Sequence, residues 1–275
     1  PTARLTLRNK YQQHPMKNIL RLSAVLLLAA LLPEVASAWT APRERLTYNI
    51  MYKWGLINKK AGEVALATSG VGSPAFKSTL TAASAPWADH IYHVRDTLLG
   101  TIDTSTLMPS RYERIAHEGG RFSHDILDYS RSGNTTTAKA RVWRKKKKDP
   151  MDYDERTHQA EGPTLDMLSS FYFMRSIDYA KMESGESVRL NIFSGKKKEF
   201  LTIHYRGLTD VKLNKERLPA YHITFTFTQE GGKVSSDAMD AWISTGAARI
   251  PLLLEGKLPV GKVRALYSGN LSDIK

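Results

Sequence analysis

The regular alternation of apolar and polar residues constrains the fold of this chain more than any other feature of its sequence. Every second side chain from residue 46 to residue 54 is apolar or aromatic: Leu46, Tyr48, Ile50, Tyr52 and Trp54. Because successive side chains of a strand point to opposite faces, a period of two predicts a strand with one buried and one solvated face. Further alternating segments include Val64 and Leu66, Val188 to Ile192, Leu201 to Tyr205, and Tyr221 to Phe227.

Turn-forming residues separate these segments at short intervals, at residues 55–60, 70–74, 119–120, 132–134, 194–196 and 231–232. Short turns join antiparallel neighbours, whereas parallel strands need a long crossover connection. The spacing therefore predicts a meander of antiparallel hairpins.

Two segments have helical rather than strand periodicity. Thr164 is a residue type that caps helices, Asp166 follows it, and apolar or aromatic residues recur at spacings of three, four and seven at Leu165, Leu168, Tyr172 and Tyr179. This pattern predicts one main amphipathic helix from about Thr164 to about Tyr179. A weaker helical pattern runs from Pro86 to Val94.

A many-stranded sheet and one main helix can pack in few ways. The sheet must curl so that its apolar face is covered, and the helix is available to cover it. We therefore predict a mainly β fold, a single curved antiparallel sheet or half barrel wrapped around the main helix. Its concave side is expected either to be filled by side chains or to hold a ligand.

The first 38 residues have the pattern of an export leader. A basic start with Lys17 and Arg21 precedes an apolar run at residues 22–32 and the small residues Ala36-Ser37-Ala38. The apolar run is too short to span a bilayer, which takes about 20 residues. We predict an upstream extension and a cleavable signal peptide at 1–38, cleaved after Ala38, and one β-rich exported domain at 39–275. No later segment is predicted to cross a membrane.

Composition favours the bacterial periplasm and an anionic partner. The chain has no cysteine, so it contains neither a disulfide nor a lipid-anchored cysteine. Its formal net charge is +13, of which +9 remains without residues 1–38. A basic exported protein is attracted to anionic envelope surfaces, whereas nucleic acid is an improbable partner there.

Four separated blocks of the sequence resemble one bacterial family. They are residues 45–55 with Ala61-Gly62, residues 91–96 with Ile102-Asp103 and Met108-Pro109, residues 168–175, and residues 241–263. Together these blocks resemble the secreted proteins of domain-of-unknown-function family 3108. This sequence departs from the family at Thr245-Gly246-Ala247, where acidic residues are usual. The resemblance implies export and a fold similar to the periplasmic lipoprotein carriers, an open β-barrel over a helix, but it implies no activity.

Common catalytic motifs are absent from the sequence. It has no Gly-x-Ser-x-Gly, no Walker-type phosphate loop and no His-Glu-x-x-His. His90 and His93, with Asp89 and Asp96 nearby, form either a metal site or a polar surface pair, and we predict the surface pair. We therefore predict no catalytic residue, cofactor or metal.

Three further charged segments are open to a similar choice. Asp152, Asp154 and Glu155 form either a weak cation site or a solvated loop, and we predict the loop. The basic runs 144–148 and 196–198 either collect phosphate-bearing head groups or lie in solvated loops, and we predict the loops.

Charged residues near predicted core segments are stronger candidates, because a buried charge must be paired. Arg95, Asp96, Arg175 and Arg249 form either an ion-pair network that ties helix to sheet or a head-group site at the mouth of the barrel. The aromatic residues Trp87, Tyr92 and Trp242 complete the set of ligand-binding candidates.

The leading functional hypothesis is a non-enzymatic periplasmic protein that binds an amphiphilic or lipid-like ligand, such as a lipid or a lipidated protein, in the concavity of the sheet. One alternative is an envelope assembly or structural factor that binds another protein, and the other is an envelope hydrolase acting on glycan or lipid. The concave face would distinguish the three. An open apolar cavity there favours the ligand-binding protein, a polar cleft favours the hydrolase, and a filled core favours the assembly factor.

Overall fold

The computed structural model describes residues 39–213, 215–234 and 238–274. Its first eight strands are β1 (Arg45–Trp54), β2 (Ile57–Ser69), β3 (Ala75–Ser84), β4 (Val94–Asp103), β5 (Pro109–Glu118), β6 (Arg121–Ser132), β7 (Thr135–Lys146) and β8 (Asp152–Glu161). The remaining strands are β9 (Thr164–Leu165), β10 (Ser187–Ser194), β11 (Lys197–Leu213), β12 (Glu216–Gln229), β13 (Met239–Ser244), β14 (Pro251–Lys257) and β15 (Lys262–Tyr267). The helices are α1 (Pro86–Asp89) and α2 (Met167–Ser176), with single 3-10 turns at Tyr179–Lys181 and Leu271–Asp273.

All fifteen strands belong to one sheet, in the order β8-β7-β6-β5-β4-β3-β2-β1-β15-β14-β13-β12-β11-β10-β9. Each neighbouring pair is antiparallel except β9 and β10, whose short pairing is parallel. The sheet consists of two meanders that are joined where β1 pairs with β15. The predicted mainly β, curved antiparallel sheet is confirmed, and the sheet is nearly closed.

Alternating strand directions place the turns at two ends of the sheet. One end, which we call the mouth end, contains α1 and the turns after β1, β5, β7, β10 and β14. The turn between β13 and β14 lies at the other end, and the C-terminus of α2 contacts it, because Arg175 donates hydrogen bonds to the carbonyls of Ala248 and Arg249. We call this the helix end.

Helix α2 fills the concave face between these ends. A Cβ on Gly100 of β4 would lie 3.1 Å from Leu168 Cδ2, so the helix packs closely on that strand. Tyr172 shares a 2.6 Å hydrogen bond with Ser78 of β3, and its ring meets Phe76 edge-on at 5.1 Å between centroids. The concave face around α2 is therefore a packed core.

Side chains bridge the gap between β8, at one edge of the sheet, and β10 with the turn that follows it, near the other edge; we call this gap the seam. His158 Nε2 of β8 lies 2.9 Å from the carbonyl oxygen of Gly195, in the turn after β10. Asn191 of β10 donates to the carbonyl of Glu161 over 2.7 Å. Lys196 lies 3.3 Å from Asp154 of β8. Side-chain contacts thus hold the seam, whereas backbone ladders hold the rest of the sheet.

The predicted main helix exists but is shorter than expected. Thr164 and Leu165 pair with Asn191 and Ile192 of β10, so they extend the sheet and do not begin the helix. Asp166, not Thr164, is the N-cap, and its side chain accepts from the amides of Leu168 and Ser169. Tyr179 lies in a separate 3-10 turn after α2 ends at Ser176. The weaker pattern becomes α1, which ends at Asp89.

The structure also corrects two predicted loops. Asp152, Asp154 and Glu155 lie in the outer strand β8, where Lys196 pairs with both aspartates. Residues 144–146 of the longer basic run belong to β7, and only residues 147–148 lie in a turn. The predicted leader at 1–38 lies outside the described residues. None of the helices in the described segments is long and apolar enough to traverse a bilayer.

Candidate functional site

The seven predicted ligand-binding candidates fall into three separate places. Arg175 and Arg249 lie at the helix end, Trp242 lies on β13, and the remaining four lie at the mouth end: Trp87, Tyr92, Arg95 and Asp96. They do not form the single ion-pair network that we considered from the sequence.

Arg175 and Arg249 tie α2 to the sheet. Arg175 is fully buried, and its guanidinium forms a bidentate pair with Glu44, with a 2.9 Å contact from Nη2 to Oε2. Arg249 donates to the carbonyl of Ile177 over 2.7 Å and to those of Arg175 and Ser176 at the C-terminus of α2. A cation at this position compensates the negative end of the helix dipole. The predicted helix-to-sheet link exists, but Glu44 rather than Asp96 is its carboxylate.

Trp242 takes part in a stacked pair on neighbouring strands. Its ring is parallel to that of His222 on β12, with the centroids 4.6 Å apart. His222 Nε2 in turn lies 2.8 Å from Asp240 Oδ1. Packing against His222 therefore accounts for the position of Trp242.

Helix α1 is joined to the strands on either side of it. Trp87 donates from Nε1 to the carbonyl of Lys60 over 2.7 Å. Asp89 pairs with Arg95 over 2.7 Å, and the hydrogen bond from Arg95 lowers the pKa of Asp89 to about 2. His93 Nδ1 lies 3.4 Å from the same carboxylate. Within the described segments no three His, Asp or Glu side chains are arranged to hold a metal ion.

Asp96 lies on the opposite face of β4 from Arg95 and is mostly buried. Arg114 of β5 lies 3.4 Å from Asp96 Oδ2 and 3.0 Å from Glu118 Oε1, so one guanidinium joins two carboxyl groups. Among the described residues no donor reaches Asp96 Oδ1. Burial raises the pKa of Asp96 to about 6, the Glu118 carboxylate acts in the same direction, and Arg114 opposes both. Asp96 therefore keeps its proton to a higher pH than an ordinary aspartate does.

These residues belong to a larger charged row on the concave face. Arg114 pairs in register with Asp125 of β6, and Asp125 forms an ion pair with Arg144 of β7. Residues in register share a face of the sheet, and the alternate positions Tyr112 and Leu127 on the same strands belong to the packed core. We define the charged row as Asp96, Arg114, Glu118, Asp125 and Arg144. It lies nearer the mouth end than α2 does.

Exposed apolar side chains border the charged row. Ile91 and Tyr92 follow α1, and their exposed fractions are 77% and 54%. The Tyr92 ring rests against the turn after β5, since a Cβ on Gly119 would lie 2.5 Å from its Cε2. Gly119 directly follows Glu118, so the exposed Tyr92 ring lies against the residue next to this partly exposed carboxylate.

A second polar site lies along the seam. The groove has a volume of about 700 Å³ and is lined by charged residues of β8, of the turn before β11 and of the start of β11, including Asp154, Arg156, Lys196 and Lys198. Most of its ionic groups are already paired, because Arg156 and Lys196 both contact Asp154 and Lys198 contacts Glu230. The groove is polar, in contrast to the apolar cavity of the leading sequence hypothesis.

The sequence analysis missed Glu44, Arg114, Glu118 and Asp125 as parts of these sites. A signal was present for three of them: Arg114 and Glu118 lie an even number of residues from buried Tyr112 on β5, and Asp125 lies two residues from buried Leu127 on β6, so they share the inward face. A charge in the inward register of an amphipathic strand requires a partner. Glu44 precedes β1 and has no comparable local pattern.

Comparison with known proteins assigns the family. A family model described as "Protein of unknown function (DUF3108)" matches residues 47–267. The chain belongs to this family. It is also similar in structure to a β-barrel-like protein of domain of unknown function DUF1849 from Brucella abortus, with a TM-score of 0.57 and 10% identity. That match covers 82% of this chain and 94% of the other, and it shows the fold alone. No curated protein matches this chain.

Proposed function

We propose that this DUF3108 protein is an exported, non-enzymatic binding protein of the bacterial periplasm whose ligand is amphiphilic or lipid-like. The observation that carries the proposal is the occurrence, at the mouth end, of exposed Tyr92 and Ile91 near the mostly buried carboxyl group of Asp96 and the partly exposed charges of Arg114 and Glu118. Such a surface offers an apolar contact and a polar anchor to one molecule, as ligand sites commonly do.

The packed core determines where such a ligand would lie. Because Leu168, Tyr172 and their neighbours fill the concave face around α2, an acyl chain has no room there without displacing side chains. The ligand's polar group would therefore occupy the charged row, and its apolar part would lie across Tyr92 and Ile91. We assign Asp96 Oδ1 as the polar anchor, since no described donor satisfies it; the atom is buried, so the ligand must displace a neighbouring side chain to reach it.

Native mass spectrometry of protein recovered from its host without detergent tests this proposal. We expect a co-purifying amphiphile on the wild type. In the Asp96→Asn variant we expect about tenfold weaker retention, because a hydrogen bond to a charged group contributes about 1.5–3 kcal/mol. Asp210→Asn is the matched control, since Asp210 is exposed on β11. A bare polypeptide mass, with no binding of added lysophospholipid, would reject the proposal.

The carboxyl pair also favours a second candidate, an envelope hydrolase. A carboxyl group with a raised pKa beside a second carboxylate is an arrangement that general acid–base catalysis uses. The same experiment separates the candidates. A hydrolase would convert the added lysophospholipid and lose this turnover in Asp96→Asn, whereas a binding protein returns it intact.

A further inference from the structure

Two neighbouring hairpin tips at the mouth end expose large apolar side chains. The turn between β1 and β2 presents Trp54, Leu56 and Ile57, and the turn between β14 and β15 presents Leu258 and Val260. Leu56 is fully exposed, and Trp54 and Val260 are each more than half exposed. We call these five residues the apolar tips.

The two tips form one continuous surface. Tyr52 donates its hydroxyl to the carbonyl of Val260 over 3.1 Å. Lys53 pairs in register with Lys262. A Cβ on Gly261, whose φ is +78°, would lie 3.0 Å from Trp54 Cβ, so one turn packs directly against the other. Exposed apolar groups from two separate chain segments are therefore held together by rigid strands.

Cationic side chains surround the apolar tips. Residues 53–62 and 257–263 contain five lysines and no Asp or Glu: Lys53, Lys59, Lys60, Lys257 and Lys262. Four of the five are exposed, at positions 53, 59, 60 and 257, and two are ion-paired, Lys60 with Glu63 and Lys262 with Glu255. Lys59 also lies 4.3 Å above the Trp87 ring, which links the basic border to α1. The surface thus has an apolar centre, an indole side chain and a basic rim.

We infer that the apolar tips insert into the surface of an anionic phospholipid bilayer, with the lysines contacting lipid phosphates. Apolar side chains gain free energy by leaving water for the acyl boundary, and each lysine near an anionic surface adds about 1 kcal/mol. Tryptophan favours the membrane interface, where its ring is apolar and its N–H meets water. This docking goes beyond the proposed ligand binding and does not require a ligand at the charged row.

The shape and charge of this surface favour a bilayer over a protein partner. Leu56 projects from a two-residue turn and is accessible on all sides, which suits insertion into a fluid phase. A protein interface of standard size buries about 800 Å² on each partner around a packed core, whereas the apolar tips are narrow and bordered by lysines. The lysines that border the apolar tips are complementary in charge to a uniformly negative surface.

Vesicle sedimentation with the complete exported protein tests the inference. The wild type should bind vesicles of equal parts phosphatidylglycerol and phosphatidylethanolamine at low ionic strength, and bind phosphatidylcholine vesicles far more weakly. Leu56→Ser should weaken binding about tenfold, because it removes the burial of one leucine side chain. Lys53→Gln and Lys257→Gln should each weaken it about fivefold and reduce its salt dependence.

Matched controls come from the other end of the sheet. Leu208 is 63% exposed on β11 and Lys212 is exposed nearby, so Leu208→Ser and Lys212→Gln remove the same groups away from the apolar tips. Neither should change vesicle binding. Brominated acyl chains should quench fluorescence of the wild type, and the Trp54→Phe variant should lose that part of the quenching. Because Leu56 and Trp54 are exposed, these variants should keep the wild-type circular dichroism spectrum.

Three results would overturn the inference. They are no binding to the anionic vesicles, equal losses in Leu56→Ser and Leu208→Ser, and bound protein without quenching of Trp54. Absence of vesicle binding together with a crosslink from position 56 to a second protein would assign the surface to a protein partner. Ligand retention in Leu56→Ser separates the two proposals, since loss of docking alone leaves retention unchanged.

Discussion

Asp166 stabilises the fold through one carboxylate oxygen and destabilises it through the other. Its Oδ1 accepts hydrogen bonds of 2.7 Å from the amides of Leu168 and Ser169, which caps the N-terminus of α2. Its Oδ2 is buried and meets no donor among the described residues. Burial therefore raises the pKa of Asp166 to about 6, although the capping hydrogen bonds act in the opposite direction.

This raised pKa predicts a pH-dependent stability. The native state holds a proton that the unfolded chain has already released, so the free energy of unfolding should fall as pH rises from about 4 to about 6. The loss is at most about 3 kcal/mol. Asp166→Asn keeps a capping oxygen and removes the titration, so urea midpoints measured across this range should lose that contribution.

The control for this measurement is Asp89→Asn, because the pKa of Asp89 is lowered to about 2 and it titrates below the range. The control should keep the wild-type slope between about pH 4 and 6. An unchanged slope in Asp166→Asn would show that Asp166 is already ionised throughout this range in the folded protein.

At the scale of elements, the turn after β10 packs closely against Asp125 of the charged row. A Cβ on Gly195 would lie 2.8 Å from Asp125 Oδ2, whereas a Cβ on Gly133, in the turn after β6, would meet nothing within 4 Å. Both glycines have a φ of +56°. Gly133→Ala should thus cost about 1 kcal/mol from backbone strain alone.

Gly195→Ala should cost at least about 1 kcal/mol more, because the ion pair of Asp125 and Arg144 must move and is mostly shielded from water. Urea unfolding of both variants measures this difference directly. Equal losses would show that the turn does not constrain the charged row.

Strands were predictable from the sequence where one face is apolar along the whole element. The alternation at β1 and β10 to β12 identified these strands, because burial of one face imposes a period of two. The helix boundary was wrong for a non-local reason: Thr164 has the chemistry of a cap, but pairing with Asn191 draws it into the sheet. Tyr179 fits the helical spacing and instead packs against Tyr205 and Tyr221.

The candidate site was only partly predictable, since neighbouring residues can face opposite environments. Arg95 and Asp96 are adjacent in sequence, but one pairs outside with Asp89 and the other lies inside with Arg114. The register of Asp96 with Leu98 and Ile102 indicates the inward face, but the partner that Asp96 meets there depends on which strands are neighbours, and sequence spacing does not fix that. The pair of Glu44 and Arg175 joins positions 131 residues apart, beyond the reach of any local pattern.

At the scale of the whole molecule, the first and last strands meet in the middle of the sheet and the mid-chain strands meet at the seam. Pairing of β1 with β15 places the start of the described chain next to a central strand rather than at an edge. Glu44 and Trp39 in this segment both contact Arg175 of α2, and Ala41 is buried. The residues that follow the predicted leader are therefore part of the core.

This arrangement makes the position of leader cleavage a prediction about the whole molecule. A cut after Ala38 leaves Trp39 as the first residue and keeps its contact with Arg175, 4.9 Å from the guanidinium carbon to the ring centroid. N-terminal sequencing of protein from the periplasmic fraction should therefore begin at Trp39. Signal cleavage needs small residues at the first and third positions of Ala36-Ser37-Ala38, so Ala36→Leu should block it and Ser37→Leu should not. An intact leader on wild-type protein in the cytosolic fraction would contradict both the cleavage site and the proposed compartment.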